Sequence, residues 1–313
     1  MKTLIDILNH PYLKRTEELL ACIHFTRMCS PLQASKLMDC SLSYLYKLRA
    51  ELNAKGNMIV SHAPGKRTRA SVAFGYDYKV GPRMYTLGSA GRPIVEQIIG
   101  EKISSKQLTD FQRGHFYGIN EILIRSLNRI TEEETGPHAR SSALDKMQWL
   151  NTAQTTDLIL YLWKKKLEPA KWKGKEQERQ EFIEGLVYPD ARLTIKGKPA
   201  WIEYDNSSEQ IGNSEMETKY HLTTIENKLN RYIDTLGPIG NRDSVVWVIA
   251  SPTRRDNIRM CWKSIVNSED IWKKKKKVEQ MGGSFFVPEM YFCLPEEEQQ
   301  LFRQLENNPT LVR

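Results

Sequence analysis

Apolar residues recur at helical spacing near the start of the chain and at strand spacing further on. Lys14 to Met28 is amphipathic, with Leu19, Leu20, Ile23 and Met28 on one helical face. Ser30-Pro31 ends that helix and starts a short one through Leu37, with Pro31 at the first helical position. Cys40-Ser41 opens a third, in which Leu42, Leu45, Leu48 and Leu52 form the buried stripe. Gly56 closes it as a C-cap, Met58-Ile59-Val60 begins a strand, and Arg83 to Leu87 is the return strand. A helix, helix, turn, helix arrangement followed by a hairpin is predicted.

Further on, Gln107 to Ile130 reads as a long helix, Met147 to Leu150 as a strand, and Asp157 to Lys166 as a helix. Leu186 to Ile195 is rich in β-forming residues, Lys196-Gly197-Lys198 makes a turn, and Pro199 to Asp205 is a second short strand. Thr218 to Leu236 carries Leu222, Ile225, Leu229, Tyr232 and Leu236 three or four apart, a helix laying one stripe on a sheet. Ser244 to Ala250 is a continuous apolar run, as in a strand buried on both faces. Gly282 to Val287 is a last strand, and an acidic helix from Glu296 closes the chain. The predicted fold class is a two-domain α+β and α/β chain. Residues 1–103 form a winged helix-turn-helix, and 104–313 a mixed sheet flanked by helices with an insertion near 131–180.

Composition narrows the partners. At 313 residues, 40% hydrophobic, the chain has material for two cores. No run approaches the ~20 apolar residues of a membrane span, and the first residues lack the apolar stretch of a signal peptide, so a cytoplasmic protein without a membrane partner is expected. Five scattered cysteines fit reduced thiols, with packing as the role of Cys22 and Cys29. The net charge is +8, and residues 1–100 hold fourteen Lys and Arg against seven Asp and Glu, so +7 of it lies at the front. Double-stranded DNA is the expected partner.

The third helix carries Ser43, Tyr44, Tyr46, Lys47 and Arg49 off its leucine stripe, a composition suited to phosphates and base edges in a major groove. Lys66, Arg67 and Arg69 at the tip of the hairpin would lie along the phosphate backbone. Arg254 and Arg255 could hold a further phosphate or merely start a helix. The Lys273 to Lys277 run is either solvated surface or nonspecific affinity for DNA.

Chemistry is concentrated in the hairpin. Alternation puts Trp201, Glu203 and Asp205 on one strand face, and Asp190 can join them from the neighbouring strand. Three anions on one patch repel one another, and hard oxygen ligands at that density suit Mg²⁺ or Mn²⁺, which activate water and neutralise phosphoryl charge. Lys228 flanks the apolar stripe of the following helix and can reach back over the hairpin, with Lys219 as a weaker second.

The Pro189-Asp190 pair, the Glu203-Tyr204-Asp205 strand and the helix after it resemble the PD-(D/E)xK nuclease fold, which is restriction-endonuclease-like. The lysine of that motif is replaced by Asp205, and the resemblance implies a lysine that has migrated to the helix, Lys228. It also implies that the first core helix can lend an acid to the metal; Glu121 is of the right type, with a plain surface acid as the alternative. Over a longer span the chain resembles the replication-relaxation family of plasmid and mobile-element proteins. The residues that carry this are RMYTLGSAGRPIV, His115 to Glu121, Pro189-Asp190, Trp201 to Asp205, Lys228 to Tyr232 and Val245 to Ala250.

The function expected is a metal-dependent endonuclease or nickase of a mobile element, with Asp190, Glu203 and Asp205 on the metal and Lys228 orienting water. Other proteins of the same element and a second copy of the chain are partners this expectation allows. The two-His metal motif of covalent relaxases is absent, so no tyrosine nucleophile is expected. Two other classes stay open: a non-catalytic initiator or transcriptional regulator with a degenerate nuclease fold, and a transposase-like end-cleaving subunit that needs partners.

Overall fold

The structure, a computed structural model, describes residues 2–63, 82–103, 112–166, 175–206, 224–280 and 285–307. Thirteen helices and seven strands lie among them, in a mixed α/β architecture. The chain divides into two compact units. One comprises Met1–Asn151, Leu193–Lys198 and Gln299–Glu306, and the other Thr152–Arg192, Pro199–Glu298 and Asn307–Arg313. No helix among the described residues is long and apolar enough to cross a membrane.

The first unit begins with α1 (Leu4–Leu8), α2 (Arg15–Phe25), α3 (Pro31–Leu37) and α4 (Leu42–Asn53). Their starts follow local chemistry. Ser30 and Gln33 form a reciprocal capping box ahead of Pro31, and the Ser41 hydroxyl accepts from the Tyr44 N–H. Leu45, Leu48 and Leu52 are buried as expected, whereas Leu42, at the first turn, is only half-buried. Strands β1 (Ile59–His62) and β2 (Met84–Leu87) pair antiparallel, Ile59 opposite Leu87 and His62 opposite Met84. Helices α5 (Arg92–Ile99), α6 (Gln112–Glu133) and α7 (Ala139–Asp145) and strand β3 (Met147–Asn151) follow. Buried Arg129 of α6 is held by Glu133, at 2.9 Å, and by Glu306.

The second unit contains α8 (Thr152–Lys166), α9 (Glu176–Gly185), α10 (Ile225–Ile239), α11 (Pro252–Val266) and α12 (Glu269–Gln280). The remaining strands are β4 (Ala191–Ile195), β5 (Lys198–Asp205), β6 (Ser244–Ile249) and β7 (Met290–Cys293), and α13 (Glu297–Asn307) comes last. Strands β3 to β7 form one sheet in sequence order, in which β5, β6 and β7 run parallel. Positive φ at both Lys196 (48°) and Gly197 (78°) makes the two-residue turn between β4 and β5. Every residue of β6 is buried, as its unbroken apolar run predicts. The core of this unit gathers Trp201, Leu229, Tyr232, Ile233, Leu236 and Trp247.

Two segments differ from the sequence expectation. Leu186 to Asp190 is not strand, because β4 starts at Ala191. Its carbonyls are taken by side chains instead: the Thr155 hydroxyl donates to Pro189 O at 2.7 Å and the Thr152 hydroxyl to Asp190 O at 2.8 Å, while Pro189 has no N–H to offer a ladder. Of the strand expected over Gly282 to Val287, residues 282–284 lie outside the described residues and 285–287 are not strand; the last strand among the described residues is Met290–Cys293, and Pro288, which lacks a donor, sits just before it. The helix expected from Thr218 is described from Ile225, capped by Thr224; residues 207–223 lie outside the described set.

The small-residue step after β2 has a steric cause. A Cβ on Gly88 would lie 2.1 Å from the Asn57 carbonyl oxygen, and its own N–H donates to Met58 O at 2.8 Å. Gly88→Ala should therefore destabilise the first unit by about 1–3 kcal/mol, the usual cost of overpacking, read as a lower urea midpoint. An unchanged midpoint would mean that this close approach is relaxed at no cost.

Candidate active site

Strand β5 is buried from Ala200 to Asp205, so its acids stand in a core rather than on a surface. Glu203 is 1% exposed, Asp205 6% and Asp190 7%. Buried carboxylates need donors. Glu203 has two from one helix: the Lys228 ammonium donates to Oε2 at 2.8 Å and the Tyr232 hydroxyl donates to Oε1. Four residues apart, the two donors sit one above the other on α10. Lys228 Nζ also lies 5.5 Å from the centre of the Trp247 ring, the residue opposite Glu203 in the β5–β6 register. Asp190 accepts the Tyr204 backbone N–H on Oδ2 at 2.8 Å. Asp205, at the end of β5, is gripped by the Arg254 guanidinium through Nε and, at 3.1 Å, through Nη2.

The electrostatics follow from burial. Desolvation, then repulsion from Asp190, pushes the Glu203 carboxyl up to about 8, against the pull of Lys228 and Tyr232.

Of the residues expected from sequence, Asp190, Glu203, Asp205, Lys228 and Arg254 are brought together in the second unit. Glu121 belongs to the first unit, where its carboxylate accepts from the Gln33 side chain at 2.8 Å. Arg255 turns to Asp256 at 3.0 Å and Glu297 at 3.4 Å. On α4, Ser43, Tyr44, Tyr46 and Lys47 are exposed, while Arg49 is half-buried with its guanidinium 5.1 Å from the Tyr85 ring of β2. Lys66, Arg67 and Arg69, like Lys219, lie outside the described residues. Tyr232 was legible only as part of an apolar stripe; its spacing of four from Lys228 is the signal that it shares the same carboxylate.

Among the described residues, no group of three or more His, Cys, Asp and Glu side chains is placed to hold a metal ion. Asp205 has both oxygens on Arg254, Glu203 has both on Lys228 and Tyr232, and Asp190 accepts the Tyr204 N–H, so Asp190 and Glu203 are neighbouring carboxylates that already carry protein donors. Two carboxylates are a sufficient protein contribution for Mg²⁺, which keeps several waters and takes its other ligands from phosphate. No protein-family model matches the chain, and neither a curated protein nor a solved structure matches it.

The Glu203 shift can be measured directly. An acid whose folded-state value is raised keeps its proton after the unfolded chain has lost it, so its contribution to stability falls as pH rises from 4.5 to about 8. Carbon-13 NMR in chelator should find one glutamate carboxyl titrating near pH 8, and Lys228→Met should move it higher by removing the cation beside it. Ordinary titration of every glutamate would contradict this account of the centre.

Proposed function

We propose that the chain is a DNA-binding protein with a metal-dependent phosphodiester-cleaving centre, an endonuclease or nickase of the PD-(D/E)xK kind, delivered to DNA by a winged-helix region and serving the replication or mobilisation of a mobile element. The observation that carries the proposal is the Lys228 ammonium on Glu203 at 2.8 Å. An acidic hairpin whose motif lacks its lysine is completed by a lysine from the next helix, as the resemblance to migrated-lysine variants implies. The order of β3, the β4–β5 hairpin, α10 and β6, with β6 parallel to β5, is further support.

Asp190 and Glu203 would hold Mg²⁺ or Mn²⁺, which would supply charge neutralisation at the phosphate and a water of lowered pKa. Lys228 is the proton-rich group at the centre. It would orient the attacking water or stabilise charge on the phosphorane, giving 5′-phosphate and 3′-hydroxyl ends. Tyr232 fixes the Glu203 oxygen that Lys228 does not hold. Exposed Tyr44, Tyr46 and Lys47 on α4 would contact DNA.

Purified protein should nick or linearise supercoiled plasmid with Mg²⁺ or Mn²⁺ and not in chelator. Asp190→Ala and Lys228→Ala should each lower the rate about 10²-fold or more, as removal of a group that stabilises transition-state charge does. Metal-independent cutting, or full activity in Asp190→Ala, would refute the assignment.

Binding gives a separate readout. Lys47→Ala should weaken DNA uniformly across sequences and reduce the salt slope of binding by about one. An unchanged slope would remove α4 from the DNA interface.

A further inference from the structure

Helix α12 carries five lysines, Lys273 to Lys277, against the acids Glu269, Asp270 and Glu279. Ile271 seats the helix by turning into the core of the second unit, and every lysine of the run is exposed. Lys273, Lys274 and Lys277 line an open cleft of about 510 Å³, whose other wall is Asn227 and Asn230 of α10. One carboxylate, Asp270, stands on that lining against the three ammonium groups. The ion pairs the lysines make are weak. Lys273 meets Glu269 and Lys274 meets Asp234 of α10, both at 2.8 Å, but each side chain in these pairs is at least 44% exposed, and pairs so open to water hold little energy. Lys277 makes no ion pair among the described residues. The cleft is therefore a site for an anion.

Trp272 decides which anion. Its ring is 58% exposed, and Lys276 Nζ lies 5.0 Å from the ring centre. An exposed indole in a basic run gains little from a DNA duplex, whose bases hide their faces against one another, but an unpaired base can stack on it. Nor does the helix suit lipid: Trp272 is its one exposed large apolar side chain among the described residues, and a membrane-surface helix needs an apolar face. At about 100° per residue, Trp272, Lys276, Lys273 and Lys277 follow one another around α12 in that order, so the ring and the cleft bound one basic face. We infer that this face is a single-stranded nucleic-acid site: an unpaired base stacks on Trp272, and the phosphates beside it run past Lys276, Lys273 and Lys277 into the cleft, where the amides of Asn227 and Asn230 can hydrogen-bond the strand. The inference takes its choice of polymer from the DNA-binding reading and asks nothing of the Glu203 centre.

Binding to the full chain, in chelator, is followed by fluorescence anisotropy of a short labelled oligothymidylate and of a duplex of the same length. The altered positions are exposed, so the variants keep the fold. Trp272→Ala should weaken the single strand about 5- to 150-fold, the worth of one stacked base, and leave the salt slope unchanged. Lys273→Gln combined with Lys277→Gln should lower the slope on the single strand by about 1.4, each lysine contributing about 0.7. Both proteins should bind duplex as the unaltered chain does, and Lys47→Ala should leave the single strand unaffected, which keeps this site distinct from α4. Equal losses on duplex and single strand would make the run a general phosphate patch and overturn the site. Unchanged single-strand affinity in Trp272→Ala overturns it as well. Oligothymidylate left unbound, with or without binding of anionic phospholipid vesicles in its place, removes the nucleic-acid assignment from α12 while the duplex reading of α4 stands or falls on Lys47→Ala.

Discussion

A carboxylate buried inside a sheet is the constraint around which the second unit is arranged. Glu203 occupies a central position of β5 and is almost wholly withdrawn from water. Left alone, such a group would cost several kcal/mol in desolvation. Its donors must therefore come from protein, and both come from α10, whose Lys228 and Tyr232 reach the two oxygens from successive turns. That requirement sets the rotation of α10 about its own axis. The same rotation buries Ile225, Leu229, Ile233 and Leu236 against the sheet, so polar satisfaction and apolar burial demand one placement of the helix.

The loop ahead of β4 answers the same constraint in another way. Asp190 must stand beside Glu203 without a ladder to hold it, because the residues before it are not strand. Thr152 and Thr155, at the start of α8, anchor the carbonyls of Asp190 and Pro189, and the Tyr204 N–H takes the Asp190 carboxylate. The acid is thereby fixed by the helix on one side and by β5 on the other. Val187 is held as well, its N–H donating to the Thr235 hydroxyl at 3.0 Å. A short irregular segment thus has the backbone bonds that a strand would have supplied.

Much of this was legible in the residues, and the parts that were not share a cause. The alternation from Pro199 to Asp205 placed Glu203 and Asp205 on one face, and the three-and-four spacing of α10 placed Lys228 at its flank. Periodicity reports which face is buried, and it did so for β6 without ambiguity. It does not report what a polar group meets across space. Arg254 could therefore be read as a phosphate contact but not as the partner of Asp205, and Tyr232 only as a hydrophobe, because its hydroxyl adds nothing to an apolar stripe. Arg49 shows the same limit: position on α4 suggested an outward base, and stacking on Tyr85 of β2 draws it inward. Leu186 to Asp190 was misread as strand because β propensity describes side chains, whereas the threonine hydroxyls that capture those carbonyls lie more than thirty residues upstream.

An aspartate at position 205 has a consequence for charge. Asp190, Glu203 and Asp205 bring three negative charges to one region, and Lys228 and Arg254 bring two positive ones. A lysine at position 205 would have left the set with two carboxylates and three cations, one positive charge in excess. The aspartate leaves it one positive charge short, and burial together with the nearby Asp190 favours the protonated form of Glu203. The basic groups stand on helices α10 and α11, from which long side chains reach the acids of β5.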